Sequence, residues 1–242
     1  MELGLEGRTA LVTAASKGLG RGAAYALARD GADVLICGRD EARLRAAVDG
    51  APAGDSAGRI EGIVADVTDP EAPARLVEET VGRFGSIHIV VANAGGPPKA
   101  RALEVDDAEL AAALNANLQT SIRLALAALP HLRAARWGRI CFITSNALQQ
   151  PIPDLAYSNV ARTGLWAWAK SAAPDLIDDG ITINLVCPGL HATDRVKELG
   201  HEGRLGDPDD FGRVVAFLCS EPANNVSGTA LRVDGAGTLG LL

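Results

Sequence analysis

Seven short apolar runs recur along the chain, at residues 8–13 (RTALVT), 33–38 (DVLICG), 59–64 (RIEGIV), 87–92 (IHIVVA), 138–144 (GRICFIT), 181–186 (ITINLV) and 230–234 (ALRVD). Their length and apolar, largely β-branched content mark them as strands. Longer Ala, Leu and Arg-rich stretches with helical spacing separate them, at 19–29, 40–48, 70–81, 106–135, 156–178 and 207–220. Runs such as IHIVVAN are apolar at successive positions, as in strands covered on both faces. Strand and helix alternate, so the pattern predicts an α/β fold with a doubly wound parallel sheet of about seven strands. Ligands of such sheets bind beyond the strands' C-terminal ends. Asp40, Asp69 before Pro70, and Asp207 before Pro208 are predicted helix caps, and Pro174 is predicted to kink its helix.

Composition narrows the class. The chain has 242 residues, 48% hydrophobic and 22% charged, which suits a single domain spanning 1–242. Residues 49–59 (DGAPAGDSAGR) read as a surface loop. The formal charge is -7 and no Lys/Arg cluster occurs, which argues against a nucleic-acid partner. No apolar run is long enough to span a membrane, and MELGLEGR lacks the pattern of a secretion signal, so a soluble, cytoplasmic protein with no membrane partner is expected. Cys37, Cys141, Cys187 and Cys219 lie singly in apolar runs without ligand spacing. They are expected to be buried small hydrophobes, with no metal site.

After the first strand comes TAASKGLGRGAAYALA, residues 13–28, where small residues and glycines run directly into a helix. A diphosphate needs close backbone approach and gains from the N–H groups at a helix N-terminus, so Gly18 and Gly20 stand where such a ligand would sit. The stretch T-A-A-S-K-G-L-G resembles the TGxxxGxG turn of the short-chain dehydrogenase/reductase family, with Ala14 in place of the first glycine. The resemblance implies a Rossmann-like fold and a nicotinamide cofactor held by Thr13, Ser16, Lys17, Gly18, Leu19 and Gly20. It extends to ADVTD, with Asp66 and Val67 beside the adenine. ANAGG contributes Asn93, Ala94 and Gly95, and CPGLHAT contributes Pro188, Gly189 and Thr193 near the nicotinamide. The second strand ends in CGRD, where Arg39 replaces the acid that would bond a ribose 2′-OH. With Lys17 this favours NADP(H) over NAD(H), unless Arg39 merely pairs with Asp40 or Glu41.

The family's chemistry is hydride transfer between a nicotinamide and a small-molecule carbonyl or alcohol, with a tyrosine, lysine, serine and asparagine managing the proton. Asn117 in NANLQT and Ser145 at the end of GRICFITS match two of these positions. In the family's register the tyrosine and lysine positions fall on Ser158 and Arg162, with Tyr157 one residue early. On a helix, residues 157 and 162 point about 140° apart. Tyr157 therefore has two readings: a proton donor presented by a distorted helix entrance, or a half-buried aromatic. Ser158 is either a stand-in for the tyrosine or an N-cap.

The family's helical lid between PGxxxT and the next helix is almost absent here, only DRVKELGHEGR remaining, and His191 and His201 near it read as solvated loop residues. By resemblance a homodimer or homotetramer is expected. Two functional readings follow: an NADP(H)-preferring oxidoreductase resembling 3-oxoacyl-acyl-carrier-protein reductases, and a binding or structural protein of the same fold with little turnover.

Overall fold

The computed structural model describes residues 2–54, 56–194, 196 and 203–240. Seven strands form one parallel sheet: β1 (Thr9–Val12), β2 (Asp33–Gly38), β3 (Ile60–Val64), β4 (Ile89–Ala92), β5 (Gly138–Ile143), β6 (Ile181–Pro188) and β7 (Ala230–Val233). Their order is β3-β2-β1-β4-β5-β6-β7. Side chains alternate across the sheet. Ala10, Val12, Val34, Ile36, Ile89 and Val91 enter one core layer, whereas Leu11, Leu35, Cys37, Val90 and Ala92 enter the other. Both faces of the five inner strands are dry, which is why those strands read as continuous apolar runs, whereas the edge strands β3 and β7 are partly exposed.

The first layer is roofed by α1 (Gly18–Arg29), α2 (Glu41–Asp49) and α7 (Pro208–Leu218). The second is covered by α3 (Ala72–Phe84), α5 (Thr120–Ala135) and α6 (Ala156–Ile177), with α4 (Asp107–Leu114) leading into α5. Asp40 and Asp207 cap α2 and α7, accepting from the backbone N–H of Arg43 and Asp209. The third expected cap moves: Asp69 accepts from Glu71 N in the turn preceding α3, and the helix begins two residues beyond Pro70. Helix α6 continues past Pro174 to Ile177. No helix among the described residues is long and apolar enough to cross a membrane.

All four cysteines are buried and free. His88, just before β4, accepts a hydrogen bond at Nδ1 from Thr9 N (3.1 Å), fastening β1 to β4 at their start. Burial and the nearby Arg8 charge hold its pKa below the usual histidine value. The neutral ring is thus favoured on folding, so the unfolded chain binds the proton more readily. Stability is full above the ordinary histidine range and falls as pH drops below about 6.5. Melting temperature is expected to decline from pH 7.5 to 5.5, and less steeply in His88→Asn, whose amide oxygen can accept from Thr9 N without titrating.

Candidate active site

The crevice opens where the sheet order reverses, between the C-terminal ends of β1 and β4. Thr13 and Asn93 lock these ends together: Thr13 Oγ1 donates to Asn93 O (2.8 Å), and Asn93 N donates to Thr13 Oγ1 (2.9 Å). Asn93 Nδ2 also donates to Ala14 O (3.0 Å), holding the turn from the inside. Gly20 is required here, because a Cβ would stand 2.7 Å from Asn93 Nδ2 and 2.8 Å from Ala14 O. Ser16 packs against Gly38, whose Cβ would lie 3.0 Å from Ser16 Oγ.

No side chain among the described residues caps α1, which leaves its first backbone N–H groups without a capping acceptor, as at the helix ends where anions bind. This cradle fits a dinucleotide diphosphate. Ala14 sits at φ 47°, in the left-handed region that the sequence alone does not reveal. A side chain there costs about 1–2 kcal/mol. Ala14→Gly is expected to raise stability by about 1 kcal/mol in chemical denaturation, net of glycine's greater freedom when unfolded, with NADPH affinity retained.

Just beyond β2, Arg39 is exposed and lies 3.9 Å from Asp66, while Asp40 and Glu41 pair instead with Arg43 and Arg45. Asp66 Oδ1 accepts from Thr68 N (2.9 Å) and Thr68 Oγ1 (2.8 Å), which holds its pKa below the ordinary carboxylate value despite burial. Val67 O accepts from Thr120 Oγ1 (3.0 Å), tying this loop to α5. Lys17 reaches across the crevice mouth to Asp194 (2.9 Å). Thr193 approaches the turn as well, its Cγ2 3.4 Å from where a Gly18 Cβ would be. After β4, a Cβ on Gly95 would meet nothing within 4 Å, so the Ala94–Gly95 segment leaves open space.

One strand further along the sheet, a cluster at the end of β5 is built around Arg162. Its guanidinium, buried at 7% exposure, donates from Nε to Ser158 Oγ (3.2 Å), from Nη1 to Ile143 O (3.1 Å) and from Nη2 to Asn117 Oδ1 (3.1 Å). Asn117 is presented by a π-helical turn, Asn115–Gln119, inserted between α4 and α5. Such insertions often mark functional positions. Ser145 caps a short 3-10 turn after β5, its Oγ accepting from Ala147 N (3.1 Å). Ser158 lies inside α6, not at its cap, which is Leu155.

Tyr157 is turned elsewhere. Its ring is fully buried and its hydroxyl accepts from Asp106 N (2.9 Å), at the entrance of α4. That hydrogen bond favours phenolate, but burial and the Glu109 and Asp106 carboxylates outweigh it and raise the pKa above the ordinary phenol value. The approach segment dictates the direction: Ala100 N donates to Asp154 O and Ala156 N to Ala100 O, so residues 100–106 lie against the start of α6. Of the five catalytic candidates, Asn117, Ser158 and Arg162 form one connected cluster. Ser145 stands two residues beyond Ile143, and Tyr157 belongs to a separate contact.

Residues 13–238 match the family model described as enoyl-(acyl carrier protein) reductase. The 3-oxoacyl-[acyl-carrier-protein] reductase FabG of Haemophilus influenzae is 34% identical, over 96% of this chain and 98% of its own length. The chain belongs to the short-chain dehydrogenase/reductase family. A Thauera aromatica relative, the (2S)-[(R)-hydroxy(phenyl)methyl]succinyl-CoA dehydrogenase subunit BbsD, is 32% identical over 98% of this chain and 99% of its own. Among solved structures, the L-sorbose reductase of Gluconobacter frateurii, complexed with NADPH and L-sorbose, matches at TM-score 0.91 and 29% identity, covering 100% of both chains. These relatives support hydride-transfer chemistry for a short-chain dehydrogenase/reductase chain of this kind.

Pro188, the last residue of β6, pairs with Val233 of β7, and Gly189 follows it. Gly189 N donates to Val233 O (3.1 Å), and a Cβ on Gly189 would meet Asp234 at 2.8 Å. The loop that follows closes on itself at its base, where Ala192 N donates to Gly206 O and Gly206 N to Leu190 O. Most of the shortened lid segment, with His201, lies outside the described residues. His191 corrects the expectation of a solvated residue: it is 5% exposed, edge-on to Phe211 (5.1 Å between ring centroids), with burial lowering its pKa. The π-helical turn and the Lys17–Asp194 pair left no mark in the sequence pattern. One is a shift in helical register and the other joins residues distant in the chain.

Proposed function

We propose that this short-chain dehydrogenase/reductase is an NADP(H)-preferring enzyme that interconverts a small-molecule carbonyl and alcohol, acting as a homodimer or homotetramer in the cytoplasm. The reading is carried by the uncapped N-terminus of α1 beneath the Thr13–Asn93 lock, a site made for a dinucleotide diphosphate. The exposed Arg39 at the end of β2, where no acid stands, supports preference for a 2′-phosphate. NADPH in the L-sorbose reductase structure supports it further.

When bound, the nicotinamide gives or takes the hydride. Arg162 positions Ser158 by donating to its Oγ, which leaves the serine O–H to donate toward a substrate oxygen; Ser145 stands near the same end of β5. Serine is too weak an acid to hold a stable negative charge, so it serves as a relay: its O–H donates to the substrate oxygen as its oxygen accepts a proton from solvent, and the same relay runs in reverse for oxidation. A second reading, cofactor binding with little turnover, is favoured by one observation: the Tyr157 hydroxyl is committed to Asp106.

The test is fluorescence titration with NADPH, followed by carbonyl-dependent loss of NADPH absorbance on ketones and 3-oxoacyl thioesters. Binding with turnover is expected, and binding without turnover on every substrate would leave the second reading. Tyr157→Phe is expected to keep turnover within about twofold while lowering the melting temperature, because Asp106 N loses its acceptor. A drop of about a hundredfold in turnover would return the proton donor's role to Tyr157.

A further inference from the structure

At the opposite edge of the sheet, where β5 and β6 begin, a cavity of about 430 Å³ is lined by Arg136, Trp137, Arg139, Glu221, Asn224 and Asn225. That volume lies within the range of small-molecule sites. Its back wall holds Arg139, only 2% exposed and one of the largest fully buried side chains. Arg139 Nε donates to Ser220 O (3.1 Å), and Nη1 donates to Gly138 O (2.9 Å) and Gly180 O (3.2 Å). Its Nη2 makes no hydrogen bond among the described residues, and the residue itself lines the cavity.

The charge balance is unusual. A buried guanidinium ordinarily has a carboxylate beside it. The nearest carboxylate in this cluster, Glu221, is taken by Arg8 (3.0 Å) and by Trp137 Nε1 (2.7 Å). Arg139 instead lies over Trp137 at 4.1 Å from the ring centroid, and Arg8 lies 4.0 Å from the same ring. Arg136, an exposed third cation, joins the lining, together with the exposed Asn224 and Asn225. One carboxylate thus faces three guanidinium groups.

We propose that this cavity is a second ligand site, binding the oxyanion of a small phosphate- or carboxylate-bearing molecule against Arg139 Nη2, Arg136 and the Asn224–Asn225 rim. It lies at the strands' N-terminal edge, away from the crevice between β1 and β4, and does not depend on the activity proposed above.

Trp137 makes the test direct: tryptophan fluorescence and calorimetry are followed on titration with inorganic phosphate and, separately, succinate. Saturable binding of at least one, with a dissociation constant of about 10 mM or tighter, is expected. Phosphate alone identifies a phosphate ester as the ligand class, and succinate alone identifies a carboxylate. Arg136→Glu and Asn225→Asp, both at the cavity mouth, are each expected to weaken binding at least about tenfold while leaving NADPH affinity unchanged. Arg139→Lys, which keeps the charge and removes Nη2, is expected to do the same if it folds. No saturable response to either anion, competition by NADPH, or equal binding in both surface variants would overturn the proposal.

Discussion

Arg162→Met is expected to lose at least about 3 kcal/mol of stability and about a hundredfold in NADPH-dependent turnover. The guanidinium bonds Ser158 Oγ on its own helix, Ile143 O at the end of β5 and Asn117 Oδ1 in the π-helical turn. Removing it leaves three buried acceptors without this donor, at about 1–3 kcal/mol each where nothing replaces it. The loss of turnover follows because Ser158 and Asn117 are no longer held in place. A positioning role separates from a merely structural one through pH. Arginine stays protonated, so turnover in the native enzyme should show no loss at alkaline pH attributable to residue 162. In Arg162→Lys the amine is desolvated and its pKa falls, and a deprotonated amine has one fewer donor. Turnover of that variant should decline as pH rises through the lysine's pKa while cofactor affinity changes less. Parallel pH–rate profiles for the two proteins would refute the assignment.

Gly22→Ala is expected to be as damaging, although residue 22 touches neither crevice nor cavity. Helices α1 and α7 cross at Gly22 and Gly212 with backbone against backbone. A Cβ on Gly22 would lie 2.2 Å from Pro208 O, and one on Gly212 would lie 2.1 Å from Gly22 O. Backbone cannot move aside as a side chain can, so the helices must separate, at a cost of about 3 kcal/mol or more. Helix α1 follows the turn proposed above to hold the cofactor diphosphate, so NADPH affinity is expected to fall with stability. Gly82→Ala supplies the control. That glycine lies in α3 with nothing within 4 Å of an added methyl, and its replacement should stabilise by about 0.5–1 kcal/mol. Urea denaturation of the three proteins measures all of this.

Much of the architecture is legible in the chain. Seven β-branched runs became seven parallel strands, and the helices between them begin and end within a few residues of their apolar patterns. Both kinds of element are local: a strand covered on two faces must be apolar at successive positions, and a helix must repeat its apolar face every three to four residues. The glycine-rich turn into α1 is equally local, since its glycines and the helix that follows are contiguous in sequence. Spacing along α6 likewise puts Ser158 and Arg162 on one face, where they meet.

What the sequence left open depends on elements packed together from distant parts of the chain. Tyr157 had two readings until residues 100–106 came against the start of α6 and offered it the Asp106 amide. His191 looked solvated until Phe211 and the return at Gly206 closed over it. Ala14 gives no warning of its left-handed backbone, which is imposed by the lock between β1 and β4. The sequence by itself determined the strand and helix pattern, the position of the glycine-rich turn into α1 and the four-residue spacing of Ser158 and Arg162, because each follows from residues near one another in the chain. Only the tertiary structure decided where the tyrosine points, what the buried arginines face and which cations reach the crevice, because those depend on contacts between segments that adjacency in sequence does not encode.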